Sequence, residues 1–260
     1  MITVSPGQIE AWMAMYLWPF VRIGACLMVA PIFGAAFVPP RARIVLAGAI
    51  TLIVAPLLPP LQGVAPFSPS GIVVTAQQAV IGVALGFMLQ VVFDALSMGG
   101  QLLSNSMGLS FAFNVDPLRG ASTPVIGQFY MLLVTLTFLA LDGHLKVIEM
   151  LVQGFSMLPV GTTGLGSNGL WTVALWGDQI FRGSLAVALP GVTALLIVNL
   201  GFGVVSRAAP TLNLFAIGFP VTLVCGLAII FAGLPAVQVA FLDLMQQAFA
   251  AIAAMLSAGA

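Results

Sequence analysis

The chain has 260 residues, 61% of them hydrophobic and 5% charged, with seven Lys plus Arg balancing seven Asp plus Glu. A soluble domain carries roughly 25% charged residues, so this chain cannot wet an ordinary globular surface and is read as an integral membrane or membrane-assembled protein. Charge balance leaves no basic field to attract nucleic acid and no acidic one to hold cations.

In chain order, the first 21 residues hold neither Lys nor Arg. The basic region of a cleavable signal is therefore missing, and the first apolar stretch is expected to stay in the mature protein. A helical span needs about 20 apolar residues. Stretches of this kind run from Trp12 to Val38, Ile44 to Leu61, Ile72 to Leu96, Pro124 to Leu141, Ser184 to Ser206 and Leu212 to Leu234. They predict an all-α membrane protein. Two further pieces, Gly143 to Leu158 and Pro235 to Leu256, are interrupted by polar residues at helical spacing: Lys146, Glu149 and Gln153, then Gln238, Asp243, Gln246 and Gln247. These predict amphipathic packing helices.

Pro and Gly mark the expected breaks, at Pro39-Pro40, Pro59-Pro60, Gly99-Gly100 and Gly161 to Gly169. The last of these lacks the Lys-Ser/Thr that a phosphate loop needs, so it is read as a plain connection. With six spans, Arg41, Arg43, Arg119 and Arg207 fall on one side and Lys146 with Arg182 on the other. That bias places the first side in the cytoplasm and the N-terminus outside.

Reactive chemistry is missing from the pattern. The single His144 lies beside Asp142 and Gly143, with no zinc-protease spacing, no nucleophile signature and no paired intramembrane carboxylates. Cys26 and Cys225 sit in apolar runs without a second thiol or His at ligand spacing. No catalytic, cofactor or metal site is expected, and the chain is not read as an enzyme.

Arg22 and Asp94 lie inside apolar stretches, where a charge costs ~2.5–3.5 kcal/mol on insertion scales and needs a partner or water. One reading is a proton or ion relay. The favoured one is a structural ion pair between helices or subunits, because a relay would need more titratable groups. Gly82 and Gly86, four apart, permit close helix packing on one face.

The segment from Met98 to Thr123 mixes Gly, Ser and Asn with Met107, Leu109, Phe111 and Phe113. Irregular backbone at membrane depth is tolerated only when it is buried in protein or lines a water-filled cavity. Its apolar side chains make it a candidate gate or plug, since an apolar constriction blocks a pore by dewetting. The other reading is a loop tucked against its own helices.

Several motifs together carry a family resemblance. Ala30-Pro-Ile-Phe-Gly34, Val38-Pro-Pro-Arg-Ala-Arg43, Met107-Gly-Leu-Ser-Phe-Ala-Phe, Asp116-Pro and Arg207-Ala-Ala-Pro-Thr-Leu-Asn-Leu-Phe-Ala-Ile-Gly-Phe-Pro220 resemble the FliR family of flagellar export-gate proteins over essentially the whole chain. Thr211 departs from the pattern, standing where many relatives carry Gln. The resemblance implies long apolar helical hairpins, with a FliP-like part (1–182, including a plug loop at 106–123) fused to a FliQ-like hairpin and C-terminal amphipathic helix (183–260). These would be wound into a helical, funnel-like assembly of several subunits.

The resemblance further implies a single-copy subunit of the type III secretion export gate in the bacterial inner membrane, at the flagellar basal body. Its partners would be several copies each of FliP and FliQ, together with FlhB, FlhA, membrane lipid and transient unfolded flagellar subunits. Met107, Leu109, Phe111 and Phe113 would close the channel, and Arg22, Asp94, Arg41, Arg43, Arg207 and Asn213 would serve structural or intersubunit contacts. The alternatives are the equivalent injectisome subunit and a small-molecule or ion secondary transporter. The transporter reading calls for an internal repeat, which is not found.

Overall fold

The structure is a computed structural model describing residues 6–58, 64–109, 125–162, 164–208 and 214–258, with side chains described from 10 in the first stretch and from 218 in the last. Among the described residues it is all-helical, without a strand. The helices are α1 (Pro6–Val29), α2 (Pro40–Val54, extended by a 3-10 turn at Ala55–Leu57), α3 (Pro69–Ser106) and α4 (Val125–Ala140), then α5 (Gly143–Met157), α6 (Ser167–Trp176), α7 (Gln179–Ala208) and α8 (Leu214–Ser257).

Local chemistry accounts for the helix starts. Pro occupies the first position of α1, α2 and α3, where its missing N–H is not needed and its fixed φ suits the helix. Ahead of α3, Ser68 is the cap: its Oγ accepts the Gly71 N–H at 3.1 Å. Proline inside the helices does not end them. Pro19, Pro190, Pro220 and Pro235 all lie within continuous helix, as long apolar helices in lipid allow.

Two expected breaks are therefore not breaks. Gly99-Gly100 lies within α3, and the piece expected to begin at Pro235 is the continuation of α8. At Gly100 the missing side chain serves packing: a Cβ there would stand 2.8 Å from Ile126 O and 2.9 Å from Gly127 Cα. Among the described residues five stretches are long and apolar enough to cross a membrane: Glu10–Val29, Pro40–Leu57, Pro69–Ser106, Ser167–Ala208 and Gly218–Ser257. The pair α4 and α5, bent by 68°, makes a sixth when counted as one span. That bend falls at Asp142, whose φ of 54° is left-handed.

The chain divides into two compact units. The first comprises Met1–Val91, Asp142–Gly177 and Gln246–Ala260, and the second Val92–Leu141 and Asp178–Met245. In the first, α1 and α3 cross at backbone contact. A Cβ on Gly82 would collide with Arg22 O, and one on Gly86 would lie 2.6 Å from Cys26 O and 2.9 Å from Ala30 N, so the glycine pair makes the close approach the sequence allowed. Buried indoles keep their N–H groups satisfied: Trp18 donates to Thr75 Oγ1 at 3.1 Å and Trp176 to Met88 O at 2.9 Å. The second unit centres on Phe93, edge-on to both Phe138 and Phe241 with ring centroids 5.5 Å apart in each pair.

Candidate functional site

The candidate gate segment starts where α3 stops, and the stop is built into the sequence. Gly108 takes φ 79°, a left-handed conformation that suits glycine. Its N–H donates to Asn105 O at 3.0 Å, and the Leu109 N–H reaches back to Ser104 O at 3.1 Å. This is the Schellman pattern, which satisfies the last carbonyls of a helix and turns the chain out of its axis. Met107, the last residue before the turn, is 1% exposed, and Leu109 just beyond it is half-buried. Phe111 and Phe113 lie outside the described residues. An open groove of about 360 Å³ runs beside the stop, lined by Leu102, Asn105 and Ser106 of α3 and by Leu185, Ala188, Leu189 and Val192 of α7.

Arg22 has its partners inside its own unit. It is fully buried in α1; its Nε donates to Gln78 Oε1 at 2.6 Å and its Nη1 to Leu158 O at 2.8 Å and Gly154 O at 3.3 Å. The guanidinium also lies over the Phe155 ring, 4.4 Å from the centroid. The two carbonyls lie at the C-terminal end of α5, Leu158 being its cap residue, so the cation sits at the negative end of the helix dipole, where Gly154 O also accepts the Leu158 N–H at 3.0 Å. Asp94 is half-buried in α3, within the second unit.

The two arginines after α1 separate. Arg43 Nη2 donates to Ala35 O at 2.6 Å and Val38 O at 2.9 Å, clamping the turn between α1 and α2. That turn holds Ile32 at φ 69°, a conformation β-branched residues avoid, and is fastened further by Ala30 N–H to Cys26 O at 2.7 Å and Gly34 N–H to Ala30 O at 2.8 Å. Arg41 is exposed. Arg207 is exposed in the last turn of α7, and Asn213 and Thr211 lie outside the described residues. Sequence reasoning missed Gln78 and Phe155 beside Arg22, and the α7 and α8 glycines that face the end of α3. A Gln one helix away and a Gly in an apolar run carry no local mark of such a role.

The family model for bacterial export proteins, family 1, matches residues 13–248. The flagellar biosynthetic protein FliR of Escherichia coli (strain K12) is 40% identical over 235 residues, covering 90% of each chain. The chain belongs to the FliR family of bacterial export proteins. A FliR from Pectobacterium carotovorum subsp. carotovorum is 39% identical over 227 residues, covering 87% of each chain. The likeness extends to Aquifex aeolicus (strain VF5), whose FliR is 28% identical over 244 residues, 92% of this chain and 93% of that one. As a FliR-family member the chain is a membrane component of the flagellar export apparatus, a transport protein and not an enzyme. The family match takes in most of α1, the clamped turn, the end of α3 and most of α8.

Proposed function

We propose that this chain is the single-copy subunit of the flagellar type III secretion export gate, in the inner membrane at the basal body. It assembles with several copies each of FliP and FliQ, is contacted by FlhB and works beside FlhA. Residues 1–182 act as a FliP-like part and 183–260 as a FliQ-like hairpin with its C-terminal extension, wound with the sister subunits into a helical funnel. Unfolded flagellar subunits pass through the channel. The loop 106–123 plugs it at rest, with Leu109, Phe111 and Phe113 as the apolar constriction and Met107 as the root. Asp94, Arg41, Arg207 and Asn213 face sister subunits, while Arg22 and Arg43 hold the chain's own fold. The chain is a gated conduit and not a motor.

The observation that carries this reading is the family match through residues 13–248. Large exposed apolar side chains on α7 and α8, among them Leu200, Val204, Val224 and Phe231, support it, because such faces need lipid or sister subunits to cover them. The first test is the intact mass of detergent-purified complex, with this chain tagged and expressed beside FliP and FliQ. One copy of this chain with several of each partner is expected; a stable monomer or homodimer that ignores them would overturn the reading. The second removes Ser110 to Phe113, sparing the buried Met107. The complex should still assemble but leak ions several-fold more than wild type, and unchanged conductance would remove the plug.

A further inference from the structure

One face of α3 within the second unit is both open and polar. Its two flanks are closed by neighbours at backbone contact. On one side lies α4: a Cβ on Gly100 would stand 2.8 Å from Ile126 O, and one on Gly127 would stand 3.0 Å from Ser97 O. On the other side lies α7, where a Cβ on Gly99 would stand 3.2 Å from Ser184 O. Between the flanks Ser97 and Gln101 are half-buried and Asn105 is exposed, one per helical turn, on a line headed by the half-buried Asp94. Leu96, Gly99, Gly100 and Leu103, on the remaining faces of the same turns, are buried.

The chain's other open faces are apolar. Leu132 and Leu136 of α4 are each 58% exposed, and Leu200 of α7 and Phe231 of α8 are exposed as well. Hydroxyl and amide groups along a 38-residue apolar span are not suited to lipid and face protein or water. The shape of the face favours protein. The polar line is one residue wide, with Met98 and Leu102 half-buried beside it. It runs into the groove between α3 and α7, where Asn105 and Ser106 stand among Leu102, Leu185, Ala188, Leu189 and Val192. A second helix meets α3 along such a narrow row, at three- and four-residue spacing with apolar sides. Ser, Asn and Gln on such a row hydrogen-bond across helices.

We propose that this face is the docking seam for one transmembrane helix of a sister subunit, which hydrogen-bonds Ser97, Gln101 and Asn105 and fills the α3–α7 groove with apolar side chains. This rests on the assembly reading above and extends its Asp94 contact to a whole helix face.

The test uses the full chain, expressed beside FliP and FliQ and also purified alone in detergent. Gln101→Met keeps the aliphatic stem that lies against Gly127 and removes the amide; Asn105→Leu is added to it. The double variant should cut the amount of assembled complex at least threefold, while the unfolding temperature of the chain alone stays within a few degrees of wild type. Full assembly with normal export would show a face turned to lipid. Full assembly with lost export would show a face turned to the water-filled path. Either result overturns the seam and leaves the assembly reading standing. If the wild-type chain itself forms no complex with FliP and FliQ, the assembly reading fails and the seam with it.

A labelling rate decides the matter should the double variant unfold. Asn105→Cys, in a chain carrying Cys26→Ala and Cys225→Ala, places one thiol on the exposed part of the line. A charged, water-soluble maleimide should label it at least tenfold more slowly in the complex than in the chain alone, because the docked helix covers it. Equal rates would show that nothing covers the face on assembly, and would overturn the proposal.

Discussion

Arg22 shows how a costly residue is made compatible with an apolar chain. A buried guanidinium is tolerated when most of its donors are used: Nε and Nη1 end on Gln78, Gly154 and Leu158, while Nη2 has no hydrogen-bond partner among the described residues. Lys cannot reproduce that fork. Arg22→Lys should therefore lose most of what Arg22→Met loses, about 3 kcal/mol from unpaired buried acceptors, read as a fall in unfolding temperature of the detergent-purified chain. A Lys variant as stable as wild type would mean that charge alone suffices. Arg41 and Arg43 should behave differently for the same kind of reason. Arg43→Ala removes both hydrogen bonds that clamp a strained turn, leaving Ala35 O only the Val38 N–H, and should cost about 2 kcal/mol. Arg41→Ala should leave the unfolding temperature unchanged and report only on what Arg41 touches outside the chain. Both arginines were legible as a helix-end pair in the sequence, but which of them folds back was not.

Helices in this protein are separated by what their contact faces lack. Where α1 crosses α3, the atoms facing Gly86 are backbone, Cys26 O and Ala30 N, which cannot move aside as a side chain end can. Gly86→Val should push the helices apart and cost about 3 kcal/mol by overpacking, seen as lost accumulation of chain in the membrane and a lower unfolding temperature. Retained stability would mean that α1 shifts freely against α3. The sequence presented Gly82 and Gly86 as a close-packing face, and the structure uses them so. The sequence also marked Gly99-Gly100 as a break, where the helix continues. Glycine breaks a helix exposed to water, where backbone entropy and solvation count against it, but between packed apolar helices the same absence of a side chain is a surface for the neighbouring backbone.

For the molecule as a whole, the faces left open are as informative as the cores. Leu195 on α7 is fully buried while Leu200, further along the same helix, is 62% exposed. Leu200→Asp should cost ~2.5–3.5 kcal/mol of membrane insertion and reduce the amount of assembled complex. In detergent its unfolding temperature should stay within a few degrees of wild type, whereas Leu195→Asp should unfold the chain. Equal damage from both would place Leu200 inside the chain's own core.

Composition and apolar run length determined by themselves that the chain is helical and membrane-bound, because both follow from a property summed over a local window. The motifs along the chain determined its family, because they are fixed strings whose order survives without knowledge of contacts. Tertiary structure alone decided that Arg22 donates to carbonyls 132 and 136 residues away, that the Met107 side chain packs against Gly226 and that Pro235 lies within one continuous helix. Those outcomes depend on which residues distant in sequence meet across helix faces, and in a chain where nearly every face is apolar, hydrophobic pattern does not distinguish one meeting from another.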